Sequence, residues 1–209
     1  NGSYNEFGTI IKDQISNLIK GLKERPLATD HIVNAWNVGD LEDVALQPCH
    51  YGFQVVVRPL NLKEIVLEYK KLKRPYKYLN LAIKNNETPK YGFELHWDQR
   101  SCDLFLGIPY NISSYATLAL ILEKITGHKV LAIQGDLKKV HLYDNSLDAV
   151  KEQLSRDINK YDKCELKMDT LTEVQFQSGI KHINEIEHGS FKLQNYESYP
   201  HIKVEMLSR

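Results

Sequence analysis

Between Tyr91 and Gly127 the spacing of apolar residues changes period, and no other feature limits the possible folds of this chain so much. Tyr91 to Asp98 alternates apolar and polar side chains, as a strand with one covered face requires. Gly107-Ile-Pro-Tyr-Asn111 breaks the alternation, and Ser113 to Ile125 resumes at helical spacing up to Gly127, a residue suited to ending a helix in the left-handed conformation. A half-buried strand that leads into a long apolar helix calls for a sheet with helices laid against it.

Both periods recur along the chain. Ile10, Ile11, Ile15, Leu18, Ile19 and Leu22 predict one face of an amphipathic helix over Thr9 to Lys23, ended by Pro26. Ile32 to Trp36 reads as a short strand, Gly39-Asp40 as a turn, and Tyr51 to Val57 as a strand rich in β-branched and aromatic residues. The stretch 61-86, rich in Lys and Tyr, fits a helix followed by a strand or loop and looks inserted between two core strands. Lys129 to Ile133 and Val140 to Tyr143 are strand-like, Ser146 to Leu154 is helical, and Ile202 to Met206 is a last alternating segment. There is no regular βαβ repeat, glycine-rich phosphate loop or internal repeat. The expected class is therefore α/β (α+β), a sandwich built around one mixed sheet in a single domain over 1-209.

Composition narrows the ligands. With 27 basic and 27 acidic residues the chain has no overall field to hold a nucleic acid or an anionic membrane, so an anionic ligand has to be small and locally held. The apolar runs Gln54 to Val57 and Tyr115 to Leu122 fall short of a membrane span, and no basic-apolar leader opens the chain; a soluble, cytoplasmic protein is expected. Cys49, Cys102 and Cys164 are odd in number and widely spaced, which points to neither a disulfide framework nor a zinc site. Asn1-Gly2-Ser3 lacks an initiator Met and enters a helical pattern almost at once, so the natural protein is expected to start further upstream.

Four constellations could carry chemistry. In Leu46-Gln-Pro-Cys49-His50 a thiol sits where a loop feeds a strand; a neighbouring cation would raise its thiolate fraction, although such a residue is more often simply packed in a core. Gln99-Arg100-Ser101-Cys102-Asp103 offers a guanidinium fork beside a hydroxyl, a pair suited to phosphate, against the plainer reading of surface ion pairs. Gly107 to Tyr115 places Asn111 at a helix start, either as an N-cap or as an amide able to pair with a pyrimidine edge. In Val140-His141-Leu-Tyr143, period-2 spacing puts His141 and Tyr143 on one strand face, as a structural pair or as readers of a sugar hydroxyl.

Taken in order, and with Ala35-Trp36-Asn37, these segments closely resemble the thymidylate synthase family over roughly residues 8 to 206, interrupted by 61-86. The resemblance implies a homodimer packed through its sheet and reductive methylation of deoxyuridylate (dUMP), with 5,10-methylenetetrahydrofolate as carbon donor and reductant and no metal. It implies that Cys49 adds to C6 of uracil. Arg100 would lie near the phosphate and the thiol, Ser101 would bond the phosphate, and Gln99 and Asp103 would line the pyrimidine and folate side. Asn111 would read N3–H and O4, His141 and Tyr143 would bond the 3′-hydroxyl, and Gly107 and Trp36 would lie on the folate side.

Two departures from the family pattern stand out. Thr29-Asp30 occupies the position of an arginine pair that reaches across the dimer to phosphate, which leaves Arg25 or His31 as substitutes. The long front segment of the family, with a further arginine, a glutamate and a tyrosine, is not recognisable here. A pyrimidine-nucleotide hydroxymethyltransferase on the same scaffold, acting on dUMP or dCMP, and a non-catalytic nucleotide- or RNA-binding relative are the competing readings.

Overall fold

The computed structural model describes residues 3–4, 10–11, 13–168, 186 and 188–205. Its centre is a mixed sheet of four strands, β3 (Ile32–Asn34), β4 (His50–Pro59), β5 (Tyr91–Gln99) and β7 (Lys129–Leu137), in the order β3-β4-β5-β7. The first three run antiparallel, and β7 runs parallel to β5. Short pairs lie outside it: β1 (Ser3–Tyr4) with β2 (Ile10–Ile11), β6 (Cys102–Asp103) with β8 (Val140–His141), and β9 (Glu165–Lys167) with β10 (Lys192–Gln194).

Two helices cover one face of the sheet, α1 (Gln14–Glu24) and α4 (Ile108–Thr126). Phe53 and Val55 of β4, with Phe93, Leu95 and Trp97 of β5, alternate onto that face and form the core with Leu18, Leu22, Ala119 and Leu122. Burying such side chains supplies roughly 1.5–3 kcal/mol each. The alternate positions face the other way, where Ile32 and Val56 stay exposed. The chain then adds α2 (Leu62–Lys71), α3 (Leu79–Lys84) and α5 (Leu147–Ser155). No described helix is long and apolar enough to cross a membrane.

The structure corrects several boundaries. Ile10 and Ile11 lie in β2 rather than in the first helix; α1 starts at Gln14 because the Asp13 carboxylate caps the Ser16 amide at 2.9 Å. Thr9 lies outside the described residues. Gly39-Asp40 belongs to a short 3₁₀ turn that starts at Val38. The second half of 61-86 is the helix α3 rather than a strand or loop, since Leu79, Ala82 and Ile83 share one helical face and Ala82 is buried. Residues 201–205 form no strand, and Met206 lies outside the described residues.

Segment 61-86 joins two strands that are direct neighbours, with Pro59 opposite Tyr91. Cys49 precedes the other end of β4, so the sheet's length, about 30 Å, separates the two.

Candidate active site

The site is assembled where the sheet runs out. His50 opens β4 opposite Gln99, which closes β5, and one step further the Arg100 amide donates to the Cys49 carbonyl at 2.8 Å. Tyr51 is the extra residue of a β-bulge between His50 and Gly52. The thiol of Cys49 is thereby presented, half-buried, at the mouth of the strand. The other two thiols differ in kind: Cys164 is exposed, and Cys102 is fully buried, its pKa pushed up by burial and by nearby Cys49. A buried thiol held protonated is a poor nucleophile, which sets Cys102 aside, and of the other two only Cys49 follows the loop that Arg100 holds.

Arg100 spends its guanidinium on the loop that carries the thiol. Nε donates to the Pro48 carbonyl at 3.0 Å, Nη2 donates to the Gln47 carbonyl at 2.8 Å, and the group lies 5.8 Å from the Trp36 ring centre. Arg100 therefore holds the loop that leads into Cys49.

Parallel pairing of β6 with β8 sets Asp103 opposite His141. One oxygen of Asp103, Oδ1, accepts from the amides of Phe105 and Leu106 at 3.0 and 3.2 Å, so Oδ2 is the oxygen left for a ligand. Gly107 closes this turn by donating to the Asp103 carbonyl at 3.1 Å, and a Cβ at Gly107 would stand 3.1 Å from that oxygen. His141 Nδ1 lies 2.9 Å from the Lys139 carbonyl, an acceptor only, so Nδ1 carries the proton and Nε2 offers a lone pair. Tyr143 lies just past β8 rather than within it, yet its ring meets the His141 ring edge to face at 5.1 Å.

Asn111 is not an N-cap. Helix α4 begins at Ile108 with Gly107 as its cap, and the Asn111 amide already donates to the Gly107 carbonyl at 3.1 Å. Its side chain points to β5 instead, where Oδ1 accepts from Gln99 Nε2 at 3.0 Å. Gln99 Nε2 also donates to the Ser101 carbonyl at 3.0 Å, and Ser101 itself is half-buried.

Sequence reasoning passed over three residues. His50 Nδ1 is 2.9 Å from the Tyr115 hydroxyl, and Tyr115 stacks on Trp97 with ring centres 5.0 Å apart. Period-2 spacing places Trp97 and Gln99 on one face of β5, which was the available signal for Trp97. His31, one candidate to replace the arginine pair, is unsuited to holding a phosphate because it is buried, with Nε2 3.0 Å from the Pro26 carbonyl. Arg25, the other, is exposed and forms a two-pronged pair with Asp30 at 2.9 Å. Among the described residues no group of His, Cys, Asp or Glu could hold a metal ion.

The family model for thymidylate synthase matches residues 4–208. A probable thymidylate synthase of Escherichia phage T5 is 34% identical over 199 residues, which cover 94% of this chain and 58% of that protein. The thymidylate synthase of Brachyspira hyodysenteriae is 33% identical over 194 residues, 93% of this chain and 58% of that protein. The crystal structure of thymidylate synthase from T4 phage superposes with a TM-score of 0.69 at 31% identity, covering 96% of this chain and 59% of that one. The chain belongs to the thymidylate synthase family, and it spans just under three fifths of the length of the relatives it matches.

Proposed function

We propose that this chain carries the nucleophile and base-reading portion of a thymidylate synthase, which methylates dUMP to dTMP with 5,10-methylenetetrahydrofolate. The observation that carries the reading is the junction of Cys49 and Arg100, a thiol and a cation at one strand mouth, beside Gln99 with its bond to Asn111 and followed in the chain by Asp103, paired with His141.

The Cys49 thiolate adds to C6 of uracil, forming an S–C6 bond at the expense of the C5=C6 double bond and leaving C5 as a carbon nucleophile. Arg100 favours the thiolate and, together with Ser101, faces the phosphate. Asn111 reads the pyrimidine edge with Gln99 behind it, and His141 Nε2, with Tyr143, takes the 3′-hydroxyl. The folate supplies the one-carbon unit and the hydride that completes the methyl group. Asp103 Oδ2 fits the N–H donors of a pterin, with Gly107 beside it and Trp36 assigned to the folate by the family resemblance. Once the C5 proton has passed to water and hydride has reached the methylene carbon, C5=C6 re-forms as the S–C6 bond breaks, and Cys49 leaves as the thiolate.

The full-length protein should form a folate-dependent covalent adduct with 5-fluorodeoxyuridylate at Cys49, lost in Cys49→Ser. Failure of the parent protein to form it would favour a non-catalytic nucleotide-binding relative. Accumulation of dihydrofolate marks hydride transfer; accumulation of tetrahydrofolate instead would reassign the chain to the hydroxymethyltransferase reading. We also propose a cytoplasmic homodimer packed through the sheet face that exposes Ile32 and Val56. Sedimentation as a monomer would count against it.

A further inference from the structure

Strands β7 and β8 are joined by Lys138 and Lys139, and this link grips the end of β5 on both sides of Arg100 and Ser101. The Lys138 amide donates to the Gln99 carbonyl at 2.8 Å, and the Lys139 carbonyl accepts from the Cys102 amide at 3.3 Å. The Lys139 carbonyl also lies 2.9 Å from His141 Nδ1. One turn of backbone therefore borders the pair that faces the phosphate and carries the bond that orients the imidazole for the 3′-hydroxyl.

The two lysines differ in what they are free to do. Lys138 Nζ donates to Asp136 at 2.7 Å, to Asp98 at 3.0 Å and to the Tyr51 hydroxyl at 2.8 Å, which fixes the turn and neutralises carboxylate charge beside it. Lys139 is exposed, and among the described residues its ammonium has no partner. Its backbone stands at φ 44°, in the left-handed region that Gly or Asn occupies with less strain. Nothing in the turn's own hydrogen bonds calls for a lysine there, since both bonds at this residue use its carbonyl.

A phosphate at this place needs a second cation. Arg100 already donates from Nε and Nη2 to the loop before Cys49, which leaves Nη1 as its one nitrogen without a bond. Thr29 and Asp30 bring no cation to the position of the family's arginine pair, His31 is buried, and Arg25 is held by Asp30.

We propose that Lys139 is that cation, binding the 5′-phosphate of the nucleotide from within the same subunit and so taking over the part that the arginine pair plays from across the dimer. The inference rests on the proposed function in placing the phosphate at Arg100 and Ser101. The 3′-hydroxyl and the 5′-phosphate leave the same deoxyribose, so a residue rooted between His141 and Ser101 stands beside both. The flexible stem of a lysine carries a compact charge to the phosphate without the fixed geometry that a guanidinium fork demands.

In the full-length protein, dissociation constants are measured for dUMP and for deoxyuridine, which lacks the phosphate, alongside the melting temperature. Lys139→Met and Lys139→Gly should each bind dUMP about tenfold or more weakly, and deoxyuridine within about twofold of the parent. Glycine suits the left-handed turn, so the melting temperature of Lys139→Gly should hold or rise while its affinity for dUMP falls, which separates loss of the ammonium from loss of the fold. Parent-like affinity for dUMP, or an equal loss for both ligands, would overturn the inference, since a merely structural turn predicts one of those results. A parent that binds dUMP no better than deoxyuridine removes the functional reading and this inference together. A parent that forms the Cys49 adduct, with Lys139 variants that keep its preference for dUMP over deoxyuridine, removes the inference alone.

Discussion

The hydroxyl of Tyr115 lies 2.9 Å from Nδ1 of His50, so helix α4 is pinned to the residue that follows Cys49. Tyr115→Phe removes this part-buried bond and is expected to cost about 1 kcal/mol in urea unfolding. Adduct formation at Cys49 should also slow, which a rate measurement with 5-fluorodeoxyuridylate would show.

The same residue gives the protein an alkaline limit. Burial, with Asp98 adding to it, pushes the Tyr115 phenol up to about 12 from its ordinary 10.0. A pKa raised in the folded state means stability fully present below pH 10 and lost as pH rises toward 12. Unfolding free energies of the parent should fall across that window, and those of Tyr115→Phe should fall less.

At the acid end the sign is reversed at His128. Burial holds this imidazole below its ordinary 6.5, and nearby His31 pushes the same way. Its Nε2 donates to the Leu22 carbonyl at 2.8 Å, a bond that favours the charged ring and only partly offsets burial. A depressed pKa means the unfolded chain binds the proton first, so stability should drop as pH falls below 6.5. Urea midpoints at pH 7.5 and 5.5 should differ more for the parent than for His128→Gln.

Arg100→Lys keeps the charge but loses the planar fork that reaches two carbonyls together. The loop of Gln47 and Pro48 should loosen, and the rate of adduct formation at Cys49 should fall by about a hundredfold, the scale of a nucleophile misplaced by an ångström. A parent-like rate would show that the positive charge alone suffices.

Gly135→Ala inserts a methyl group where the indole of Trp97 lies. Overpacking of this kind costs about 1–3 kcal/mol, readable in a denaturant midpoint.

By contrast, Asp30→Asn breaks an ion pair whose side chains are 55% and 63% exposed. Water and salt screen such a pair, so the melting temperature should move by no more than about a degree. A larger shift would show that Arg25 and Asp30 brace the entry to β3.

Much of this architecture is legible in local pattern. Alternation marked β5, helical spacing marked α4, and Gly127, at φ 72°, ends that helix as its residue type foretells. The errors lie where a local pattern fits two states. Ile10 and Ile11 suit a helical face or a strand, and the cap at Asp13 decided between them. Leu79 to Ile83 is too short for periodicity to separate helix from strand.

For the site, the residue types and their order were enough to single out Cys49, Arg100, Asp103, Asn111 and His141 as one set, because the family resemblance is carried by contiguous motifs. Which atom of each residue is free to act could not be read there. Asn111 looked like a cap until the fold set it against Gln99, and His31 looked available until the fold buried it beside α1. The sequence by itself determined the two periods and the mixed class, and it named Cys49 as the candidate nucleophile. Only the tertiary structure decided that Arg100 grips the loop before Cys49 and that Asn111 bonds Gln99 rather than capping its helix, because a hydrogen bond depends on partners brought together from distant parts of the chain.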